Sequence, residues 1–271
     1  MNYCDPKGFR SEIKALREKG RDIFFSWMDG GETADGAFEK AEDVFTRLML
    51  PSAKKYLKKL DDKVSLDIGY GSGGQVLAAT MYFDKAYGLD VHEESDFVEE
   101  ELKNRGAHGR DFHLITGDGN SIPLPDGSVD FVHSWVTFMH LGTVDNTVRY
   151  LKEMFRVMKE GAVAVIFFSR MLRSALSQTW EQVLEDIKKE EEGAGYREGG
   201  PKTRVRGINI QMTMWKMKEL VEAEGFDILD ITASSHIINR RKYFFGQYGV
   251  IIRKPTKTIK RTLIRRRSGN K

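Results

Sequence analysis

Leu66-Asp67-Ile68-Gly69-Tyr70-Gly71-Ser72-Gly73-Gly74 decides how this chain is read. An apolar run from Val64 enters a cluster of glycines and leaves it as a helical pattern opening near Gln75. Glycine lets the backbone turn tightly and approach a ligand closely, and the first turn of the following helix offers free N–H groups. Strand, glycine turn and helix form the first unit of a ligand-binding α/β fold.

The rhythm continues downstream. Short apolar strands are predicted over Val64–Ile68, Ala86–Leu89, Phe112–Ile115, Val129–Ser134 and Ala162–Phe168, with helices over 75–82 and 145–159 between them. This alternation predicts a doubly wound, mostly parallel sheet in a three-layer α/β/α sandwich, a Rossmann-like arrangement. A charged helix (Glu185 to Glu192) and a glycine-rich stretch (Gly193 to Gly200) then interrupt it. Thr213 is placed to cap a helix with the face Met217, Leu220, Val221, which Gly225 stops; strands Phe226–Thr232 and Tyr243–Ile252 close the pattern.

Upstream, Phe9, Ile13, Leu16, Ile23, Phe24 and Trp27 share one helical face. Ala37, Ala41, Val44, Phe45 and Leu48 form a second, ended by Pro51, and a short third helix is expected over 52–60. Asp29-Gly30-Gly31 reads as a loop. The expected organisation is an N-terminal helical lid (1–62), a main domain (63–252) with an insert at about 171–207, and a basic tail (253–271).

Composition bounds the class. The chain has 271 residues, 40% hydrophobic and 31% charged, ordinary values for a globular protein. Cys4 is the single cysteine, which excludes a disulfide framework or a cysteine-based zinc site within one chain. No histidine–carboxylate group has metal spacing, and Glu190-Glu191-Glu192 reads as a solvated helix end. The longest apolar run, Ala162–Phe168, has seven residues, far short of a membrane span. Asp5, Lys7 and Arg10 interrupt any signal-peptide pattern, so a cytoplasmic location is expected. Residues 253–271 hold nine Lys or Arg and no acid; against a total of +3, that leaves −6 for residues 1–252. Such a tail is either a solvated end or a peripheral contact with an anionic membrane surface or RNA; Ile259, Leu263 and Ile264 give it a short apolar stripe that favours membrane.

Gly69, Gly71 and Gly74 also satisfy G-x-G-x-x-G, so a nicotinamide-dependent oxidoreductase is the competing enzyme. Two features count against it. Asp67 stands where pyrophosphate would approach, and a carboxylate repels a phosphate but suits an ammonium group. A further acid, Asp118, follows the third strand in Ile115-Thr116-Gly117-Asp118-Gly119-Asn120. Asp90, ending the second strand, can accept hydrogen bonds from both hydroxyls of a ribose.

The full set is Asp67-x-Gly69-x-Gly71-x-Gly73, Asp90, Gly117-Asp118, Ile122-Pro123-Leu124-Pro125-Asp126-Gly127-Ser128-Val129-Asp130 and the closing Gly225-Phe226-Asp227. Over roughly residues 60–252 it resembles class I S-adenosylmethionine-dependent methyltransferases of the type 11 kind. The resemblance implies S-adenosyl-L-methionine as cofactor. Asp67, Gly69, Gly71 and Gly73 would line its methionine side, Asp90 would hold the ribose, and Asp118, Gly119 and Asn120 would meet the adenine. Ser134, at the end of the fourth strand, is counted with them.

Methyl transfer from a sulfonium is a direct displacement, so the protein must align the groups and exclude water. A general base is needed only for a poorly acidic hydroxyl or a protonated amine. His140, after the fourth strand, is either that base or a packing residue beneath the cofactor. Trp135 and Phe138 either wall the pocket or belong to the core. Acceptor recognition is expected from additions to the sheet: Trp27 and Phe24 in the lid, Tyr196, Arg197, Arg204 and Arg206 in the insert, Arg240, Arg241 and Tyr243 before the last strand, and Arg170 at the end of the fifth. Each arginine can equally be a solvated charge. Together they suggest a small-molecule or glycan hydroxyl as acceptor, or an amine. A non-catalytic nucleoside-binding protein acting through its basic tail is the reading from a different class.

Overall fold

The computed structural model describes residues 6–171, 178–190, 195–198, 210–238 and 241–256. Nine α-helices and nine strands follow one another among them. The helices are α1 (Pro6–Glu18), α2 (Arg21–Asp29), α3 (Ala34–Val44), α4 (Leu50–Leu57), α5 (Gly74–Ala79), α6 (Ser95–Leu102), α7 (Val144–Val157), α8 (Trp180–Glu190) and α9 (Met214–Ala223). The strands are β1 (Val64–Ile68), β2 (Lys85–Asp90), β3 (Phe112–Thr116), β4 (Val129–Ser134), β5 (Met158–Ser169), β6 (Tyr196–Glu198), β7 (Ile210–Met212), β8 (Asp227–Ile238) and β9 (Arg241–Arg253).

Seven strands form one sheet in the order β3-β2-β1-β4-β5-β9-β8, and β6 and β7 pair separately. β1 to β5 are parallel, while β9 runs antiparallel to both β5 and β8. The expected doubly wound sandwich is the observed fold. Strand order reverses between β1 and β4, and the crevice outside that reversal is where ligands bind in such sheets.

Strand alternation sorts the core into two layers. Leu66 and Ile68 of β1, with Val132, Ala164 and Ile166, pack beneath α7, α8 and α9. The opposite face carries Phe131, Val163, Val165 and Phe167 beneath residues from α1 to α6. Ser65 and Asp67 alternate with Leu66 and Ile68, so they point into this second layer.

Several elements depart from the sequence expectations. The face from Phe9 to Trp27 is split into two helices at Gly20, whose φ of 118° leaves the helical region. Pro51 does not end a helix. A π-helical turn, Phe45–Met49, carries α3 into α4, and Pro51 sits in the first turn of α4, where a missing N–H costs nothing. α1, α2 and Lys40 of α3 reach the crevice, and Phe24, Phe45, Met49 and Ala53 join the sheet's apolar layer. Glu190 is 5% exposed rather than a solvated helix end, and Glu191 and Glu192 lie outside the described residues. Arg253 ends the interior strand β9, pairing with Val163, and Lys254 just after it donates from Nζ to Met158 O at 2.8 Å. The rest of the basic tail, 257–271, is outside the described residues.

Candidate functional site

β1 ends at Ile68, and the loop beyond it turns on glycines with positive φ: 83° at Gly69, 51° at Gly71 and 80° at Gly73. Gly69 is required twice over. Its φ disfavours any side chain, and a Cβ there would overlap the hydroxyl of Thr137 and lie 2.8 Å from Thr137 Cβ. Thr137 and Ser134 both donate to Ile68 O, at 2.9 and 2.8 Å, which fastens the segment after β4 to the glycine loop.

Asp90 ties the loop to the end of β2. Its Oδ2 accepts from Gly71 N at 2.9 Å and its Oδ1 from Val91 N at 2.7 Å. The carboxylate still faces a cavity of about 460 Å³ at the sheet's switch point. The floor of that cavity is Ile68, Gly69, Leu89, Asp90, Val91 and Gly119. One wall is Trp135, Val136, Thr137, Met139, His140 and Leu141, continued by Asn146 and Tyr150 of α7. The N-terminal helices supply the cover: Phe9, Ile13, Trp27, Met28, Asp29, Gly30 and Lys40. Arg10 pins this cover down, with Nε on Val91 O at 2.6 Å and Nη2 on Gly117 O at 2.9 Å.

Of the residues singled out from sequence, Gly69, Asp90, Gly119, Trp27, Trp135 and His140 come together around this one cavity. His140 meets Phe9 edge-on, ring centroids 5.9 Å apart. Phe138 and Phe24 are core residues, 1% and 0% exposed. The others stand apart from the lining. Gly71 and Gly73 shape the loop behind it. Ser134 is buried with its hydroxyl committed to Ile68. Asp118 is exposed and closes a local turn, accepting from Asn120 N and Ser121 N at 2.8 and 2.9 Å, and those N–H groups hold its carboxyl below the usual range. Asn120 is engaged by Arg149.

Asp67 lies behind the floor at 1% exposure, and burial, then Asp29 and Asp90, push its carboxyl well above the usual range. Its neighbour His133 is fully buried, and burial pushes its imidazole down to about 3.

Arg170 does not face the cavity. It is fully buried, donating to Gln178 Oε1 at 2.8 Å, lying 3.5 Å from Asp186 and stacking on Tyr248 at 4.8 Å. Its guanidinium fastens α8 to the sheet. Tyr196 is 45% exposed beside Lys216. Arg197 is exposed on the same strand. Arg204, Arg206 and Arg240 lie outside the described residues, and Arg241 and Tyr243 are placed as backbone positions of β9 pairing with Ile238 and His236.

The lid residues Asp29 and Lys40 were missed. Asp29-Gly30-Gly31 carried a loop signal, but nothing in its spacing places a carboxylate against a glycine loop some forty residues later. Asp29 accepts a hydrogen bond from the Ser72 hydroxyl, which itself accepts from Gly74 N at 3.1 Å. Burial pushes the Asp29 carboxyl up to about 6, opposed by the Ser72 bond and Lys40 and aided by Asp90. Among the described residues no cluster of metal-ligating side chains is present, and no helix is long and apolar enough to cross a membrane.

Known proteins share this fold. Residues 66–166 match the model of a methyltransferase domain family, class I and S-adenosylmethionine-dependent. A methyltransferase from Aquifex aeolicus superposes with a TM-score of 0.53 at 18% identity, over 80% of this chain and 96% of its own. A putative methyltransferase from Haloferax volcanii, solved with the activator Trm112, gives 0.55 at 17% identity, over 87% and 99%. The (4+2)-cyclase SpnF gives 0.57 at 15% identity, over 91% and 93%. At such identities the superpositions speak for the fold, and the last shows that the fold also hosts other chemistry.

Proposed function

We propose that this S-adenosylmethionine-dependent methyltransferase acts on a hydroxyl, or an amine, of a small molecule with an apolar or aromatic body. The observation that carries the acceptor class is the composition of the cavity: Phe9, Ile13, Trp27, Trp135 and Met139 line it with apolar surface, and Phe9 meets His140 edge-on. The arginines that suggested a glycan give no support here: Arg170 is spent inside the protein, and none of the described arginines among them lines the cavity.

The residues present suit the cofactor. Gly69 and Gly119 leave backbone open to close approach, Asp90 offers a carboxylate to the ribose hydroxyls, and Trp27 and Trp135 offer aromatic faces to a cation. The chemistry supplied on binding is a methyl group already activated by its sulfonium, which leaves as a neutral thioether. The protein's part is alignment and the exclusion of water. α1 and α2, held by Arg10, cover the crevice and keep water from the reacting centre. A ring nitrogen of His140 takes the acceptor proton as the acceptor oxygen or nitrogen bonds to carbon. The seven basic residues of 257–271, with Ile259, Leu263 and Ile264, supply a peripheral contact with an anionic membrane surface.

Thermal unfolding with candidate cofactors tests the core of this reading. S-adenosylhomocysteine should stabilise the protein by roughly 2.7 kcal/mol at ~100 times its Kd, and NAD or NADP should not. Stabilisation by NAD alone overturns it.

A further inference from the structure

Asp29 and Lys40 bring opposite charges to the glycine end of the cavity, and both come from the N-terminal helices rather than from the methyltransferase domain. α2 lies directly on the loop: Met28 Cβ is 3.5 Å from where a Cβ of Gly71 would stand. Asp29, at the helix end, is fixed by the Ser72 hydroxyl. Lys40 of α3 folds back over Gly30, where its ammonium would overlap any side chain. Both Asp29 and Lys40 line the cavity with Gly69.

We propose that Asp29 and Lys40 form a clamp for the amino-acid end of the cofactor, Asp29 taking its ammonium and Lys40 its carboxylate. The assignment rests on the methyl-transfer reading and deepens it. Asp67, the carboxylate that the sequence offered for the ammonium, lies behind the floor and is absent from the lining. Charge balance supports the clamp. Asp29, Asp90 and Lys40 face the cavity with a net charge of −1, and S-adenosylmethionine, with sulfonium, ammonium and carboxylate, carries +1. Asp29 is also poorly compensated without a ligand. Burial and Asp90 oppose its charge, and only Ser72 and Lys40 favour it, so a cation brought beside it is strongly favoured. The N-terminal helices are thereby part of the binding site as well as its cover.

The test compares two ligands that differ in the amino-acid end. The full chain, Asp29→Asn and Lys40→Met are titrated calorimetrically with S-adenosylhomocysteine and with 5′-methylthioadenosine, which keeps the nucleoside and lacks the zwitterion. Each substitution is expected to weaken S-adenosylhomocysteine by roughly 10-fold or more, the scale of a lost charge-assisted hydrogen bond, with methylthioadenosine held within about 3-fold. Melting curves without ligand confirm that the variants are folded. Equal losses for both ligands, or no loss for either, overturn the clamp while leaving the methyltransferase reading intact. Failure of the unsubstituted chain to bind S-adenosylhomocysteine overturns both.

Discussion

Nδ1 of His133 lies 3.4 Å from Oδ1 of Asp67, and both side chains are 1% exposed. Burial disfavours the charge on each, raising the carboxyl and lowering the imidazole to about 3. Their pH effects oppose each other. The stability tied to Asp67 is present below its unfolded value of about 3.9 and is lost as pH rises toward its folded value. The stability tied to His133 is present above about 6.5 and is lost as pH falls toward its folded value. Above about pH 4 and below about pH 6.5 the two slopes have opposite signs, so the pair adds less slope than either group would alone. Asp67→Asn removes one arm. Relative to the parent, that variant's stability should rise with pH by up to ~1.4 kcal/mol per unit from about pH 4 toward the folded value of Asp67, read from urea unfolding between pH 4.5 and 7.5. Parallel curves would show that burial does not raise the Asp67 carboxyl.

Gly69→Ala should destabilise by about 2–4 kcal/mol, combining a left-handed backbone with the overlap on Thr137. Adding Thr137→Ala removes the clashing hydroxyl and methyl but leaves the Cβ contact of 2.8 Å and the backbone strain. Measured against Thr137→Ala alone, the alanine at position 69 should therefore cost less than in the parent, and still more than the about 1–2 kcal/mol of the left-handed backbone alone. Equal costs in the two backgrounds would mean that Thr137 does not fill the space.

Asp90→Ala should weaken S-adenosylhomocysteine by about 10- to 100-fold, because hydrogen bonds to a charged group are worth about 1.5–3 kcal/mol. The glycine loop also loses the acceptor for Gly71 N, so unliganded melting should fall as well. Unchanged calorimetry would move the ribose elsewhere in the cavity.

His140→Ala should lower turnover by roughly 100-fold and remove the acidic limb of the pH–rate profile. Cofactor affinity should change little, since His140 stands at the wall shared with Phe9 rather than on the floor. Loss of affinity with an unaltered profile would make it a packing residue.

Arg10→Ala frees α1 from Val91 O and Gly117 O, the carbonyls that close the ends of β2 and β3. Stopped-flow displacement should show S-adenosylhomocysteine leaving several-fold faster, and limited proteolysis should cut sooner within the first thirty residues. Identical dissociation from both proteins would separate the cover from the ligand's exit.

Much of this molecule is legible from local chemistry. Alternating apolar runs identify β1 through β5 within a residue or two except β5, which begins four residues early at Met158. Thr213 accepts from Lys216 N as an N-cap, as its position before the helix predicts. The glycine loop and Asp90 are readable because positive φ and a strand-end carboxylate are properties of a few consecutive residues. The break at Gly20 and the π-helical passage through Phe45–Met49 were less visible, since an apolar stripe keeps its period across a bend.

The sequence by itself determined the fold class, the cofactor family and the glycine turn with its strand-end Asp90, each encoded in short segments whose backbone geometry allows few alternatives. Only the tertiary structure decided which charges face the cavity. Asp67 and Arg170 carry the right chemistry at strand ends yet are sealed inside, whereas Asp29 and Lys40 reach the glycine loop from helices that precede it. Side-chain destination depends on which layer covers a given face of the sheet. That is settled by nonlocal packing, where apolar burial on α1 to α4 draws the N-terminal helices over the crevice and carries their charges with them.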